Sequence, residues 1–338
     1  MGDLKKLEDL LLQPSADLIE DLKNLEDDIL ILGVGGKMGP SLALLAKQAL
    51  QKAGKTNRVI GVSRFSSENL EQDLNKKGIE TIKADLLNEK DLEALPDVRN
   101  VIYMAGTKFG TQGNESFTWA MNAYLPGRIA SKFKHSNIVV FSTGNVYPLV
   151  PLVSGGATES VQPGPVGEYA QSCLGRERVF EHFSKINKTP MLIYRLNYAV
   201  DFRYGVLVEI AKSVRNEEPI DLSTGHVNVI WQSDANEYAL RSLKHCKNPM
   251  EILNITGPET VSIRWLANEF GLRFGKKPHF IKEEQSTALL NNASQAHKLF
   301  GYPKVSLQTI IDATAMWLEE GGALINKPTH FQERKGNY

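Results

Sequence analysis

The feature that most constrains this fold is a glycine-rich turn near residue 30, which joins a short apolar run to a segment that favours helix. The apolar run Ile29–Leu32 predicts a buried strand, and residues 41–52 predict a helix. Four glycines lie between them: Gly33, Gly35, Gly36 and Gly39. A strand, a glycine turn and a helix in this order present backbone N–H groups to a pyrophosphate at the helix N-terminus. Any sharp strand-to-helix turn also favours glycine, so the motif alone leaves a purely structural turn open.

The spacing of these glycines gives three of them an expected task in a phosphate-binding turn. Gly33 allows the tight turn, Gly36 allows the close approach of the phosphates, and Gly39 allows helix and strand to touch. The turn is therefore a candidate dinucleotide site.

The length, net charge and residue content of the chain argue against several classes of protein. A chain of 338 residues suits about two domains or one large α/β unit, and its formal net charge of +0 gives no sign of a nucleic acid or an acidic membrane as partner. No apolar run approaches the roughly 18 residues of a membrane span. The two cysteines and seven histidines show neither a disulfide framework nor a metal-ligand spacing. We therefore expect a cytoplasmic protein with no metal and no membrane span.

Strand and helix signals alternate over residues 28–142, which predicts an α/β fold: a Rossmann-type, doubly wound parallel sheet with helices on both faces. The predicted division of the chain is a helical N-terminal extension over 1–27, a dinucleotide-binding domain over 28–197, a small C-terminal mixed α/β substrate lobe over 198–322, and a tail over 323–338. Helix 234–245 is expected to return from the lobe to the sheet. The extension is predicted from leucines at helical spacing that are interrupted at Pro14.

Ligands of such sheets bind beyond the carboxyl ends of the strands, so the residues there are candidate binding residues. The second strand ends in Ser63 and Arg64, where an acidic residue would favour NAD. Arg64 instead attracts the additional phosphate of NADP, so NADP is the expected cofactor and NAD the alternative. Asp85, after the third strand, either accepts a hydrogen bond from an adenine amino group or caps the next helix. Ala105 and Gly106, after the fourth strand, leave room for a flat cofactor.

The order of these motifs resembles the extended short-chain dehydrogenase/reductase family, which includes the NAD-dependent epimerases and dehydratases, over residues 28–322. The matching positions are Gly33-Val34-Gly35-Gly36-Lys37-Met38-Gly39, Asp85-Leu86, Asn122, Ser142-Thr143-Gly144-Asn145-Val146-Tyr147 and Arg195-Leu196-Asn197. The resemblance implies a cofactor site that also includes Lys37, Met38 and Leu86. It further implies a homodimer formed through helices near 115–134 and 167–185.

The resemblance implies that Tyr169 exchanges a proton with a substrate hydroxyl or carbonyl while a hydride passes to or from the nicotinamide. Tyr169 is then also part of the cofactor site. The family tunes the phenol with a lysine four residues further on, and Cys173 stands at that position. Three interpretations remain open. Another cation, Lys108 or Arg176, reaches the site; the positive charge of the nicotinamide suffices; or catalysis is lost and the chain binds without turnover.

The resemblance also bears on the substrate. Thr143 matches the hydroxyl that binds the reacting oxygen, and Gly144-Asn145 replace the Asp-Glu pair of the sugar-nucleotide 4,6-dehydratases, so that elimination is not expected. Nucleotide-sugar members usually carry an arginine that binds pyrophosphate where this chain has His226-Val227-Asn228. Its absence favours a smaller substrate such as a free sugar, a sugar acid or a polyol. The candidate substrate contacts are Lys108, Asn145, Asn197, His226 and Asn228.

Together, the motifs predict an NAD(P)-dependent oxidoreductase or epimerase that acts on a carbohydrate-like hydroxyl or ketone of a sugar, a sugar acid or a nucleotide sugar. Its candidate catalytic residues are Tyr169 and Thr143, with Cys173 as the position that decides activity. The alternative is a non-catalytic dinucleotide-binding protein of the same fold, a sensor or a partner subunit.

Overall fold

The computed structural model describes residues 6, 9, 13–66, 68–108 and 110–337. Its strands are β1 (Ile29–Leu32), β2 (Val59–Ser63), β3 (Glu80–Lys83), β4 (Asn100–Tyr103), β5 (Asn137–Thr143), β6 (Val150–Pro151), β7 (Met191–Leu196), β8 (Ala199–Val200), β9 (Pro219–Asp221), β10 (His226–Val227), β11 (Ile230–Trp231), β12 (Glu251–Ile255), β13 (Val261–Ser262), β14 (His279–Ile281) and β15 (Thr287–Ala288). Its α-helices are α1 (Ala16–Lys23), α2 (Gly39–Lys52), α3 (Glu68–Lys76), α4 (Glu89–Glu93), α5 (Glu115–Trp119), α6 (Leu125–Lys132), α7 (Gly167–Asn187), α8 (Val206–Arg215), α9 (Gln232–Arg241), α10 (Ile263–Phe274), α11 (Ser294–Phe300) and α12 (Leu307–Glu319).

The central sheet confirms the predicted Rossmann-type fold. Within the described residues it contains seven parallel strands in the order β12-β7-β5-β4-β1-β2-β3. The chain builds outward from β1 through β2 to β3 and then crosses back to place β4 on the other side of β1. This reversal creates a crevice at the carboxyl ends of β1 and β4, the usual ligand position in such sheets.

The two faces of the sheet are buried under different helices because successive residues of a strand point to opposite sides. In β1, Ile29 and Ile31 belong to the core that contains residues of α1, α2 and α9. Leu30 and Leu32 belong to the opposite core, which contains residues of α4, α6 and α7. Burial on both faces explains why β1 is a continuous apolar run rather than an alternating one.

Residues beyond β7 form a further hydrophobic core, separate from the two that cover the sheet. It is built mainly from α8, α10 and α12, and Phe202 lies between Trp231 and Trp317 with ring centroids 5.7 and 4.3 Å apart. Helix α9 leads back to the sheet layer, where Gln232 and Asn236 each donate a 2.9 Å hydrogen bond to the Ser41 hydroxyl of α2. The lobe is thereby attached directly to the helix that follows the glycine turn.

The N-terminal extension is partly described. The leucines between residues 4 and 12 all lie outside the described residues, whereas α1 is a capped helix with Leu18 and Leu22 fully buried. The Ser15 hydroxyl caps α1 and also donates a 2.6 Å hydrogen bond to Glu237 of α9. Asp21 forms ion pairs with Arg241 and Lys244. These contacts fix α1 to the body of the molecule.

Two segments differ from the sequence prediction. The helix expected over 115–134 is interrupted by a π-helical turn at Ala120–Tyr124. Residues 148–166, whose prolines and glycines predict a long loop, contain β6, which pairs antiparallel with β15. Both differences place residues at the carboxyl edge of the sheet, and π-turns inside helices occur frequently at functional sites.

Candidate active site

The glycine turn follows β1 and begins α2. Gly33 has φ +94°, and a Cβ there would lie 2.7 Å from the amide nitrogen of Ala105. A Cβ at Gly39 would lie 2.2 Å from the carbonyl oxygen of Val34. The fold itself therefore requires glycine at both ends of the turn.

Gly36 differs from these two glycines. It is exposed, its φ is not positive, and the nearest described atom to a Cβ there is 3.5 Å away. The protein leaves this face of the turn open toward the cleft. The turn thus has the shape in which a pyrophosphate approaches backbone N–H groups, and its residues fit a dinucleotide.

Cationic side chains surround a cavity of about 430 Å³ at this turn. Its lining includes Gly35, Gly36, Lys37, Ser41, Lys77, Arg203 and Lys327. Lys37 extends into the cleft with its Nζ 3.4 Å from the centroid of the Tyr204 ring. Burial, with the positive charges of Lys108 and Lys327, lowers the pKa of Lys37 to about 7, although Glu209 opposes this shift. An anion in this cavity would relieve the repulsion between these lysines.

The residues predicted to meet the adenosine half of a cofactor lie at the ends of β2 and β3. Ser63 lies against the turn, since a Cβ at Gly35 would be 2.4 Å from its hydroxyl, while Arg64 is exposed. Asp85 accepts a 3.0 Å hydrogen bond from the backbone N–H of Leu87, so its carboxylate holds the local loop. Leu86 is buried in the core.

The end of β4 is held by Asn122 in the π-helical turn. Its amide donates to the Thr107 carbonyl at 2.8 Å and accepts from the Thr107 N–H at 2.9 Å, and it also donates to Ser172 of α7. This clamp fixes the backbone that follows Ala105 and Gly106. A Cβ at Gly106 would lie 2.3 Å from an Nη of Arg176, so glycine is needed there for close packing.

The structure brings Tyr169, Thr143 and Cys173 together. Tyr169 lies in the first turn of α7, and its hydroxyl forms hydrogen bonds with Thr143 at the end of β5 and with the Cys173 thiol one turn further along. Burial, helped by the Cys173 thiol, raises the pKa of Tyr169 well above its ordinary value, whereas Arg176 lowers it. Burial likewise raises the pKa of Cys173, so the thiol is protonated at neutral pH. The phenol is therefore protonated at neutral pH, and its raised pKa makes it a weaker acid than an ordinary tyrosine.

Two cations lie near this phenol. The Nζ of Lys108 is 5.6 Å from the centroid of the Tyr169 ring, and burial lowers the pKa of Lys108 to about 8. Arg176 is buried beneath the site, where it donates 2.8 Å hydrogen bonds to the Phe141 carbonyl and the Asn122 amide oxygen. Among the described residues it forms no ion pair. Sequence reasoning named both cations as candidates but did not locate either of them.

Glu177, which follows Arg176 in sequence, forms an ion pair with a different arginine. Glu177 accepts hydrogen bonds from Arg195 at 2.9 and 2.6 Å and from the Ser142 hydroxyl. Arg176, which the Glu177 charge favours without an ion pair among the described residues, places a positive charge near Tyr169 in a region where charge interactions are strong.

The predicted substrate residues have different hydrogen-bond partners in the structure. Asn145 accepts a 2.9 Å hydrogen bond from the Thr143 hydroxyl. Asn197 donates to the Leu289 carbonyl at 3.3 Å. Asn228 holds backbone on both sides, donating to Glu259 and accepting from Asn291. His226 has a buried Nδ1 with no hydrogen-bond partner among the described residues.

The C-terminal segment over 323–337 contributes residues that sequence reasoning missed. Glu333, Arg334 and Gly336 line a cavity of about 30 Å³ together with Asn145, Tyr147 and Leu289. Lys327 lines the larger cavity at the glycine turn. Neither hydrophobic periodicity nor a known motif distinguishes this segment, so nothing in the sequence pointed to it.

Two searches bear on other classes of function. Within the part of the chain that the structure describes, no cluster of three or more His, Cys, Asp or Glu residues is arranged to hold a metal ion. None of the helices in that part combines the length and the apolar character needed to cross a membrane.

Comparison with protein families gives a match over residues 29–218, to the model described as the NAD dependent epimerase/dehydratase family. No curated protein matches the chain significantly.

Comparison with solved structures gives many matches. A UDP-glucuronic acid 4-epimerase from Bacillus cereus, in complex with UDP-glucuronic acid and NAD, has a TM-score of 0.69 at 22% identity. A UDP-glucose 4-epimerase from Thermotoga maritima with UDP-glucose has a TM-score of 0.69, and one from Thermus thermophilus with NAD has 0.70, both at 17% identity. Each comparison covers 87% of this chain and 99% of the other. At these identities the structures establish a shared fold.

Proposed function

This chain belongs to the NAD dependent epimerase/dehydratase family, and from that premise we propose that it is an NAD(P)-dependent oxidoreductase or epimerase acting on a carbohydrate-like hydroxyl or ketone. The observation that carries the proposal is the hydrogen-bonded pair of Tyr169 and Thr143 beside an open, cation-lined glycine turn. The structural neighbours are named as epimerases of UDP-sugars, which supports a substrate of the sugar class.

The dinucleotide is proposed to lie across the carboxyl ends of the strands. Gly36 and the N-terminus of α2 would face its phosphates, Ser63 and Arg64 its adenosine half, and Ala105, Gly106 and Tyr169 its nicotinamide half. When bound, the nicotinamide supplies a hydride acceptor or donor. The positive charges of Lys37 and Lys108 favour the phosphates.

Tyr169 is proposed as the acid/base and Thr143 as the hydroxyl that positions the reacting oxygen. Because the phenol is protonated, Tyr169 can donate a proton to a substrate carbonyl while the Thr143 hydroxyl turns from Asn145 to donate a hydrogen bond to the same oxygen. In the opposite direction the phenolate has to form. We assign the charge that stabilises it to Arg176 and Lys108, in place of the family's lysine.

Replacing Tyr169 by Phe tests this role. With oxidised NAD or NADP bound, wild type should gain the absorbance of the reduced nicotinamide with at least one compound from a panel of UDP-glucose, UDP-glucuronic acid, free aldoses, aldonic acids and polyols. Tyr169→Phe should lower kcat about 100-fold or more with little change in cofactor affinity. Tyr302→Phe, on the exposed surface, is the matched control. A Tyr169→Phe enzyme with wild-type kcat would refute the assignment.

The preference for NADP is proposed from Arg64. The guanidinium at the end of β2 should contact a phosphate on the adenosine ribose, so Arg64→Ala should weaken NADPH binding about tenfold and leave NADH binding unchanged. Arg178→Ala, another exposed arginine, is the control. Equal losses for both cofactors, or no loss, would contradict the preference and leave NAD as the cofactor.

A second candidate function is dinucleotide binding without turnover, which the protonated, buried Cys173 favours. In that case wild type binds the dinucleotide but reduces or oxidises nothing on the panel, and Cys173→Lys restores turnover. If wild type turns over and Cys173→Lys changes kcat less than threefold, this candidate is excluded.

A further inference from the structure

Residues 323–337 form an extended segment, here called the C-terminal strap, that crosses the lobe above the cleft. Its backbone is fixed at Ile325, whose N–H donates to the Arg203 carbonyl at 3.1 Å. It is fixed again at Thr329, whose N–H and hydroxyl both donate to the Glu209 carboxylate. Phe331 is buried in the lobe core, and Arg334 donates to the Thr287 carbonyl at 2.7 Å. A segment held at so many points occupies a defined position.

Lys327 lies between the first two anchors. It lines the 430 Å³ cavity at the glycine turn, and it also lines an adjoining cavity of about 190 Å³ beside Tyr204 and Glu209. The bonds at Ile325 and Thr329 hold the intervening backbone at the mouth of these cavities. The conformational cost of placing the lysine there is therefore already met in the folded chain.

The side chains that line the cavity with Lys327 include several cations, which favour the binding of an anion. Lys37 and Lys77 line the same cavity, and Arg203 is paired with Asp201 at 2.9 Å. The Glu209 carboxylate accepts the two hydrogen bonds from Thr329. Lys327 is near enough to Lys37 that its positive charge helps to lower the pKa of Lys37. Lysine side chains grouped around a cavity beside an open glycine turn suit a phosphorylated ligand.

We propose that Lys327 is an anion-binding residue of the active-site cleft, by which the C-terminal strap contacts the phosphates of the ligand bound at the glycine turn. Identification of that ligand as a dinucleotide rests on the proposed function. The anion site itself rests only on the strap, the cavity and the surrounding lysines.

Lys327→Ala, Lys327→Arg and Lys335→Ala test the proposal. Lys335 is an exposed lysine of the same strap that does not line the cavity, so its variant is the matched control. Calorimetric titration with NADH and, separately, with inorganic pyrophosphate should show affinity about tenfold weaker for Lys327→Ala. Lys327→Arg should return to within threefold of wild type, and Lys335→Ala should match wild type.

Equal affinity of wild type and Lys327→Ala for both ligands would overturn the proposal. If wild type binds pyrophosphate in a Lys327-dependent way but binds no dinucleotide, the anion site stands and the proposed function falls. If wild type binds neither ligand, both fall. Hydrogen exchange gives a second readout: NADH should slow exchange of the 325–331 amides in wild type but not in Lys327→Ala, and unchanged exchange in wild type would contradict contact between the strap and the ligand.

Discussion

Lys37 and Lys108 give the cleft a charge that depends on pH. Their pKa values, about 7 and about 8, lie below that of an ordinary lysine because burial disfavours the charged form. A bound phosphate favours the charged form and raises both values. Binding therefore takes up protons from about pH 7 upward, and affinity falls as the pH rises. Only well below pH 7 are both lysines already charged, so that affinity becomes flat there.

We accordingly predict that dinucleotide affinity falls between pH 7 and 9, by up to about tenfold per pH unit for each lysine that takes up a proton. Titrations at pH 8 in two buffers with different ionisation enthalpies measure the proton uptake directly. Lys37→Gln should reduce that uptake, and Lys132→Gln, a lysine remote from the cleft that pairs with Asp97, should not. Affinity independent of pH, with no proton uptake, would contradict the assigned environment of both lysines.

Within the glycine turn, one glycine is required by the fold and another leaves room for a ligand. A Cβ at Gly39 collides with the Val34 backbone, so Gly39→Ala should cost about 1–3 kcal/mol of unfolding free energy. Gly36→Ala should change stability by less than about 0.5 kcal/mol, since the protein leaves that face open. It should nevertheless weaken dinucleotide binding at least about tenfold.

Urea denaturation and NADPH titration of the two variants check this prediction. A Gly36→Ala protein that binds like wild type would show that phosphates do not approach this face. A Gly39→Ala protein as stable as wild type would show that the turn relaxes more easily than its backbone contacts indicate.

The glycine turn and the alternation of strands and helices could be predicted because both depend on local chemistry. Apolar runs specify β1 and its neighbours, and the glycines specify a sharp turn into α2. The position of Tyr169 beside Thr143 was also predictable, but only through the resemblance to a family.

The electrostatics of the site could not be predicted, since they depend on contacts between distant elements. Arg176 reaches the end of β4 through Asn122, 54 residues away in sequence. The π-helical turn that presents Asn122, and the strap that presents Lys327, carry no distinguishing sequence pattern. The sequence therefore predicts where a cofactor site lies, but it does not predict which cations set the charge of that site.

The outer face of α6 and α7 is a candidate surface for association with another protein chain. These helices border a groove of about 730 Å³ whose lining includes Tyr124, Gly127, Val179 and Phe183, and Tyr124 is 62% exposed. We propose that a second copy of the chain packs on this face to form a homodimer. An exposed aromatic side chain beside an apolar groove is typical of such interfaces.

Val179→Glu should convert the dimer to a monomer in sedimentation velocity, since it places an unpaired charge in the buried contact. Leu272→Glu, which adds the same charge to an exposed position of α10, should remain dimeric. A wild type that is monomeric at tens of micromolar, or a Val179→Glu variant that stays dimeric, would rule out this interface.

The central claim, that the cleft at the glycine turn holds a dinucleotide next to Tyr169, is tested most directly by a crystal structure of the chain grown with NADPH. We predict that the pyrophosphate contacts the backbone at Gly36, and that the nicotinamide lies between the end of β4 and the Tyr169 hydroxyl. A dinucleotide bound elsewhere, or a nicotinamide remote from Tyr169, would contradict the account.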